Sequence, residues 1–319
     1  MPPSPSDMPT VEELDDSYPD LGRREVAILA KGENWAVVYN PSGAAAHWHR
    51  DFSEKEGFTL LGRAKRTLRR KLHLVGRLER SVSGLSLLAF DPETAEALQS
   101  VNASKVYYAL CRNSGEAFFD QGRFAITRPL RDKKPFGKKH GDGMKESHTD
   151  VEVLFGGKDP NGCLIRAEPK TGRYHQIRRH LRNISLPILG DGYCKRKTRE
   201  YYESFGIQLP RRVLLHLYSI RVPATGKTPE LYVTCPLPPK FQRFIRDSFP
   251  SWAAKAEAAL PELFAAPKVR LPPMAASQVL ERQRQHARPP SSPWLRFKDW
   301  LRRRFPSRRK EAASLARHW

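Results

Sequence analysis

Cysteine is scarce in this sequence, and its four cysteines are far apart. They are Cys111, Cys163, Cys194 and Cys235, so no C-x-x-C pair exists. A zinc ribbon or a thioredoxin-type redox site needs such a pair, and the sequence therefore does not support either. The spacing favours four reduced, mostly buried thiols in a cytosolic protein.

Long apolar runs and targeting signals are also missing. No apolar stretch approaches the ~20 residues that a membrane helix needs. The first twenty residues are acidic and contain no apolar stretch, unlike a secretory signal or an Arg-rich transit peptide. These absences argue against an integral membrane protein and a secreted protein. They predict no membrane partner and a cytoplasmic location, with nuclear or organellar residence left open.

Several common enzyme motifs are absent as well. The segment Gly226-Lys227-Thr228 is not a P-loop, because Arg221 stands where the first glycine is required. No G-x-G-x-x-G follows a strand, and neither HExxH nor G-x-S-x-G occurs. His175 and His180 are five residues apart, the wrong interval for a metal pair on one helical face. The commonest NTPases, dehydrogenases, zinc hydrolases and serine hydrolases are excluded, and no metal site is predicted.

Acidic residues are few relative to basic ones. The chain has 319 residues, with 56 Lys and Arg against 34 Asp and Glu, for a net charge of +22. The segment from Pro267 to Trp319 holds fourteen Lys and Arg, three Asp and Glu, and seven prolines. Such an excess predicts a polyanionic partner, most commonly nucleic acid. The tail is interpreted as a disordered arm for RNA, in preference to a membrane-surface helix.

The composition and the apolar patterning predict three regions and one fold class. Residues 1–24 form a disordered leader, 25–250 a folded domain, and 251–319 a basic, Pro-rich tail. Strands without regular βαβ alternation predict an α+β domain on a largely antiparallel sheet. The predicted strands are Val26–Ala30, Trp35–Tyr39, Leu85–Phe90, Lys105–Cys111, Val151–Phe155, Cys163–Ala167, Val213–Val222 and Leu231–Cys235. Helices are predicted over 57–72, from Asp91 onward, over Tyr174–Asn183 and over Pro239–Ser248.

Four polar segments lie in apolar surroundings: Gly76–Leu85, Lys105–Leu110, Glu168–Leu181 and Pro187–Tyr193. Considered singly, each fits an ordinary structural role: a salt-bridge loop, half-buried sheet packing, a solvated basic face or an apolar turn. In the first segment, a carboxylate between two arginines is expected to stay ionised. The four segments in this order indicate more about the function than any one of them does.

Together the segments resemble the RluA-type pseudouridine synthases. Arg77-Leu78-Glu79-Arg80 through Leu85 is similar to the family's H-R-L-D-R-x-T-S-G-L motif, and Lys105-x-Tyr107-x-Ala109 to its K-x-Y-x-A strand. Lys170 to Arg178 resembles K-T-G-R-x-H-Q-I-R, and Pro187 to Asp191 resembles P-I-x-G-D. The resemblance spans roughly residues 25–245 and looks most like the tRNA pseudouridine synthase C branch.

This resemblance implies a pseudouridine synthase fold with a central RNA-binding cleft. It implies isomerisation of uridine in structured RNA, with no metal or organic cofactor, by a monomer that acts on tRNA or, as the alternative, on rRNA. The implied catalytic residues are Glu79, Tyr107 and Arg178, with Arg178 holding the carboxylate through a bidentate fork. The implied RNA-binding residues are Arg77, Arg80, Lys170, Arg173, His175, Gln176 and Arg179.

Four positions depart from the family pattern. Gly76 replaces a histidine, Glu79 the catalytic aspartate, and Val82 a threonine, and the lysine of the family's N-K-P-S-G turn is absent because Asn40 directly precedes Pro41. The extra methylene of glutamate moves a carboxylate by ~1.5 Å on an unchanged backbone. A misplacement of ~1 Å can cost about 10²-fold in rate, so Glu79→Asp is predicted to raise turnover. The alternative function is a catalytically degenerate RNA-binding protein of the same fold.

Overall fold

A computed structural model describes residues 26–46, 59–113, 122–131, 143–158, 160–194 and 196–265. Within these ranges the chain forms twelve strands and seven helices. The strands are β1 (Ile28–Lys31), β2 (Trp35–Asn40), β3 (His73–Val75), β4 (Ser83–Ala89), β5 (Ser104–Cys111), β6 (Arg123–Ile126), β7 (Leu130–Arg131), β8 (Met144–Lys145), β9 (Thr149–Lys158), β10 (Asn161–Pro169), β11 (Leu215–Val222) and β12 (Leu231–Thr234). The helices are α1 (Leu60–Leu68), α2 (Pro92–Ser100), α3 (Gln176–Asn183), α4 (Arg196–Glu203), α5 (Pro239–Ser248), α6 (Pro250–Ala259) and α7 (Pro261–Phe264).

One large sheet organises the described residues. Its strand order is β1-β2-β4-β11-β5-β10-β9-β6, with β3 paired to β4 and β12 paired to β11. The pair β4–β11 is parallel, and the other pairs in this sheet are antiparallel. Strands β7 and β8 form a separate two-stranded sheet. The predicted α+β class with a largely antiparallel sheet is confirmed.

The two halves of the sheet join where β4 meets β11. Gly84 lies opposite Leu217 and has a φ of 130°. A Cβ at this position would lie 2.3 Å from the Leu217 carbonyl oxygen, so only glycine allows this approach. The neighbouring Ser83 hydroxyl lies 2.9 Å from Nδ1 of His216, whose pKa burial lowers to about 3. The neutral, buried His216 therefore stabilises the contact between β4 and β11.

Apolar layers cover both halves of the sheet. One cluster packs β5 and β10 against α3, α5 and α6, and includes Leu110, Ile165 and Leu181. A second packs β2 and β4 against α2 through residues such as Val37 and Leu98. Helix α2 begins as predicted: the Asp91 side chain accepts a hydrogen bond from the Thr94 N–H (2.7 Å), and Pro92 occupies the first turn.

The structure changes one predicted boundary. Residues 251–265 were assigned to the tail, but they form most of α6 and all of α7. Trp252, Ala256 and Leu263 are buried in the same cluster as β5 and β10, because their helical spacing turns one apolar face toward the sheet. The folded domain therefore reaches at least residue 265. The predicted leader and the segment from Pro267 lie outside the described residues.

Candidate active site

Two of the predicted catalytic side chains contact each other. Glu79 lies between β3 and β4, and Arg178 lies in α3, 99 residues later in the chain. Nη1 of Arg178 donates to Oε2 of Glu79 at 2.8 Å, within the range of a charge-assisted hydrogen bond. The fold therefore brings two distant motifs together at one carboxylate.

The bidentate fork of Arg178 faces a different carboxylate from the predicted one. Nε donates to Oδ2 of Asp191 at 2.8 Å, and Nη2 donates to Oδ1 at 2.6 Å. The Asp191 side chain is only 1% exposed, and it also accepts the Tyr193 N–H at 3.0 Å. The predicted fork onto Glu79 is therefore wrong. Asp191 orients the guanidinium, which leaves the outer nitrogen Nη1 for Glu79.

His175 closes the other side of this cluster. Its Nε2 lies 3.4 Å from Oε2 of Glu79 and 3.1 Å from Nη1 of Arg178. Its Nδ1 lies 3.0 Å from the hydroxyl of Tyr193. His175 has a φ of 50° directly before α3, in the left-handed region that few non-glycine residues adopt. This backbone carries the ring to the carboxylate.

Burial and neighbouring charges oppose each other at Glu79. Burial raises its pKa above the ordinary value, the charge and hydrogen bond of Arg178 lower it, and the charge of Asp191 raises it. The backbone N–H of His175, at the start of α3, also lowers it. The net pKa shift is upward, and the cation that favours the ionised form is Arg178 rather than the flanking Arg77 and Arg80 that the sequence suggested. Nε of Arg80 instead donates to the Gly43 carbonyl (2.8 Å).

Tyr107, the third predicted catalytic residue, lies on β5 in the wall of a pocket of about 210 Å³. Lys105, Leu78 and Leu217 also line this pocket. Burial raises the pKa of Tyr107, and the negative charge of Glu79 raises it further. Burial lowers the pKa of Lys105. The structure thus offers a pocket with mixed polar and apolar walls that contains a neutral phenol. Glu79 and Arg178 do not line this pocket, but the charge of Glu79 acts on Tyr107.

The predicted RNA-binding residues occupy different environments. Arg77 is exposed and lines the pocket. Nζ of Lys170 forms ion pairs with Asp150 and Glu168, both at 3.2 Å. Arg173 donates from Nε to the Glu146 carbonyl at 2.9 Å. Lys170, Arg173 and Arg179 lie in the turn before α3 or in its first turn, where Lys170 is exposed and the two arginines are half-buried.

Gln176 differs from its prediction. It is buried, and its Oε1 accepts from the Thr171 hydroxyl (2.8 Å) and the Arg173 N–H (3.0 Å). Its Nε2 donates to the His148 carbonyl and the Thr149 hydroxyl, both at 2.9 Å. All of these partners belong to the protein, so Gln176 positions the turn before α3 rather than facing RNA.

Asp191, Tyr193 and Ser81 are the site residues that the prediction missed. The hydroxyl of Ser81 lies 3.3 Å from Nη1 of Arg178. A signal for Asp191 was present, because an acidic residue inside the apolar turn Pro187–Tyr193 needs a buried partner. Gly190 before it has a φ of 74°, and a Cβ there would lie 1.7 Å from the Arg212 carbonyl oxygen.

Within the described ranges, no group of three or more His, Cys, Asp or Glu side chains is arranged to hold a metal ion. None of the helices in that part of the chain has both the length and the apolar character to cross a membrane.

A solved structure shares this architecture. The human protein described as RNA Pseudouridylate Synthase Domain Containing 1 superposes with a TM-score of 0.54, over 84% of this chain and 97% of the human one. The two sequences are 20% identical, so the likeness concerns the fold. The predicted pseudouridine synthase fold is confirmed.

Sequence comparison identifies the family. Residues 34–183 match the family model described as RNA pseudouridylate synthase. A ribosomal large subunit pseudouridine synthase C from Pasteurella multocida (strain Pm70) is 31% identical over 237 residues, which cover 70% of this chain and 68% of that protein. A tRNA pseudouridine synthase C from Pectobacterium carotovorum subsp. carotovorum is 30% identical over 184 residues, 51% of this chain and 46% of that protein. The chain belongs to the RluA family of RNA pseudouridine synthases.

Proposed function

We propose that this protein converts uridine to pseudouridine in structured RNA with Glu79 in place of the family's aspartate. The observation that carries the proposal is the 2.8 Å hydrogen bond between Arg178 and Glu79, beside the pocket that Tyr107 lines. By resemblance, these positions correspond to the family's arginine, aspartate and tyrosine.

The reaction is an isomerisation whose atoms balance without an oxidant or a reductant. The bond between C1′ and N1 breaks, a bond between C1′ and C5 forms, the C5 proton leaves, and N1 gains a proton. Glu79 starts the reaction at the sugar, either as a nucleophile or by removing a proton. Arg178 orients the carboxylate, and Tyr107 stacks on the base.

The base must leave its stack to reach the pocket. Arg77 is exposed and lines that pocket, which suits a side chain that enters the space left by the extruded base. The phosphates on either side would meet a strongly basic protein. RNA is therefore the proposed partner, with shape and charge rather than a local code guiding its choice.

The geometry around Glu79 favours an active enzyme over the catalytically degenerate alternative. The longer side chain does not miss its partner: the carboxylate reaches Nη1 of Arg178 at 2.8 Å and receives the His175 N–H. A catalytic carboxylate needs such a fixed position.

The substrate is proposed to be tRNA, with large-subunit rRNA as the alternative, because relatives are named for each. Tritium release from C5-labelled uridine, measured on a tRNA transcript pool and on large-subunit rRNA, tests the activity and the choice together. Release is expected from the tRNA pool and absent in Glu79→Gln. Release from rRNA alone would overturn the substrate assignment. Release from neither RNA, with binding intact, would support the degenerate alternative.

The pH dependence of turnover is a first prediction. Because burial raises the pKa of Glu79, its active, ionised form is lost at a higher pH than for an ordinary glutamate. The acid limb of kcat/KM is therefore expected above the ordinary value of 4.5, with activity falling as the pH drops through the raised pKa. RNA binding by Glu79→Gln over the same pH range controls for RNA affinity. An acid limb at or below 4.5 would contradict this reading.

The basic segment 267–319 gives a second prediction. With fourteen Lys and Arg against three Asp and Glu, its deletion should lower RNA affinity and flatten the dependence of log K on log salt. The truncated protein should still unfold cooperatively, because the described core is completed by Leu263 and Phe264. Binding titrations over a salt series and urea unfolding measure both effects. Unchanged affinity would show that the segment does not bind RNA, and loss of cooperative unfolding would show that it is part of the folded core.

A further inference from the structure

Tyr174 is a large aromatic side chain at the surface beside the proposed active site. It is 47% exposed and precedes His175 in the turn that leads into α3. Exposed aromatic rings are a common means by which proteins hold unstacked RNA bases. The location of Tyr174 beside the proposed active site, more than its exposure alone, suggests a role in binding RNA.

The ring of Tyr174 is held in place by a stack. Its centroid lies 3.7 Å from that of His175, with 19° between the planes. His175 is itself fixed, since Nδ1 lies 3.0 Å from the Tyr193 hydroxyl and Nε2 lies 3.4 Å from Oε2 of Glu79. One ring therefore separates Tyr174 from the carboxylate, and the platform is preorganised.

Positive charge accompanies this ring. Nη1 of Arg179 donates to the Tyr174 carbonyl at 3.2 Å, which puts a guanidinium beside the turn. Arg173 directly precedes Tyr174, and its Nε donates to the Glu146 carbonyl at 2.9 Å. The turn therefore carries an aromatic ring and two cations, which match the two parts of a nucleotide, its base and its phosphate.

We propose that Tyr174 stacks against the base of a nucleotide next to the target uridine. The inference rests on the proposed function, because extruding the uridine leaves each neighbouring base with one unstacked face. Tyr107 then stacks on the target base in the pocket, and Tyr174 holds the adjacent base outside it. Tyr174 is a positioning residue and takes no part in the bond changes.

Fluorescence tests the stacking without requiring turnover. The probes are two RNA hairpins, each with a single loop uridine and 2-aminopurine on its 5′ or its 3′ side. Stacking quenches 2-aminopurine, so one hairpin should be quenched on binding to the Glu79→Gln protein. Adding Tyr174→Phe should preserve the quenching. Adding Tyr174→Leu should abolish it and weaken binding of that hairpin by about tenfold.

Tyr232 supplies a matched control, because it is a 65% exposed tyrosine on β12. Tyr232→Leu should change neither the quenching nor the affinity. The proposal is overturned if neither hairpin is quenched at saturation, if Tyr174→Leu keeps the quenching, or if Tyr232→Leu removes it equally. Quenching with the expected variant pattern, together with a wild-type protein that forms no pseudouridine, would refute the proposed function and leave the stacking intact.

With the wild-type carboxylate and an RNA that is turned over, the kinetics supply a second measurement. Tyr174→Leu should raise KM by about tenfold while kcat changes little, since the ring acts on binding. An abasic nucleotide at the quenched position should raise KM for the wild-type protein and have no further effect in Tyr174→Leu. A fall in kcat at constant KM would contradict a stacking role.

Discussion

Pseudouridine formation is expected to fall by about 10²- to 10⁴-fold in Glu79→Gln, while RNA affinity stays close to that of the wild type. Glutamine keeps the length of the side chain and an oxygen that can accept from Arg178. It removes the negative charge that starts the reaction at the sugar. RNA affinity is dominated by phosphate contacts elsewhere, so the affinity of Glu79→Gln should not fall with its activity.

The measurement is tritium release from C5-labelled RNA, paired with equilibrium binding of the same RNA. Glu96→Gln is the matched control, because Glu96 is an exposed carboxylate on α2, and it should retain full activity. Equal rates for the wild type and Glu79→Gln would remove Glu79 from its assigned role. Asp191 would then be the next carboxylate to test.

The structure reverses the expectation for Glu79→Asp. The family pattern predicted that an aspartate would raise the rate. In the structure the carboxylate is placed for glutamate, with Oε2 at 2.8 Å from Arg178 and 3.4 Å from His175. An aspartate would withdraw by ~1.5 Å from both, so a loss of about 10²-fold is now expected. A rate increase would instead mean that Glu79 is a misaligned remnant.

Sequence signals within a few residues were sufficient to predict elements that depend only on neighbouring residues. Asp91 followed by Pro92 predicted the start of α2, and the helix over Pro239–Ser248 is found with those bounds. The resemblance to the RluA family also implied that Glu79 and Arg178 meet, which they do. The contribution of Trp252 to the core was not predictable in this way, because it depends on α6 docking against a sheet far away in sequence.

The sequence also did not predict Asp191 as the partner of the Arg178 guanidinium, because this contact too depends on how separate segments pack. Arg178 and Asp191 are separated by the end of α3 and an apolar turn. Their contact depends on Gly190 adopting a φ of 74° against the backbone of Arg212. The sequence places Gly190 and Asp191 together in the segment that resembles P-I-x-G-D, but it does not show that Arg178 is the partner of Asp191. A motif therefore predicts which residues lie in one site, whereas the hydrogen bonds between them depend on the conformation of the folded backbone.

Asp191→Asn is expected to cost about 3–5 kcal/mol in the free energy of unfolding, the usual penalty for breaking a buried ion pair on one side. Asp191 is 1% exposed and Arg178 is 10% exposed at the side chain. An asparagine presents an N–H group to one arm of the fork, which leaves a buried cation poorly paired. Urea unfolding measures the loss, and Asp150→Asn at an ion pair that is 46% exposed on the acid side should cost no more than about 1 kcal/mol.

Activity separates a positioning role for Asp191 from a purely structural one. In Asp191→Asn the guanidinium loses the partner that orients it, so Glu79 loses the charge and hydrogen bond of Arg178, which lower its pKa more than the charge of Asp191 raises it. The acid limb of the residual kcat/KM should therefore move to higher pH. A substitution that merely loosens the fold would lower the rate without moving that limb. An unchanged free energy of unfolding, or an acid limb that stays in place or moves to lower pH, would show that Arg178 reaches Glu79 without help from Asp191. The bidentate contact would then be incidental to the site.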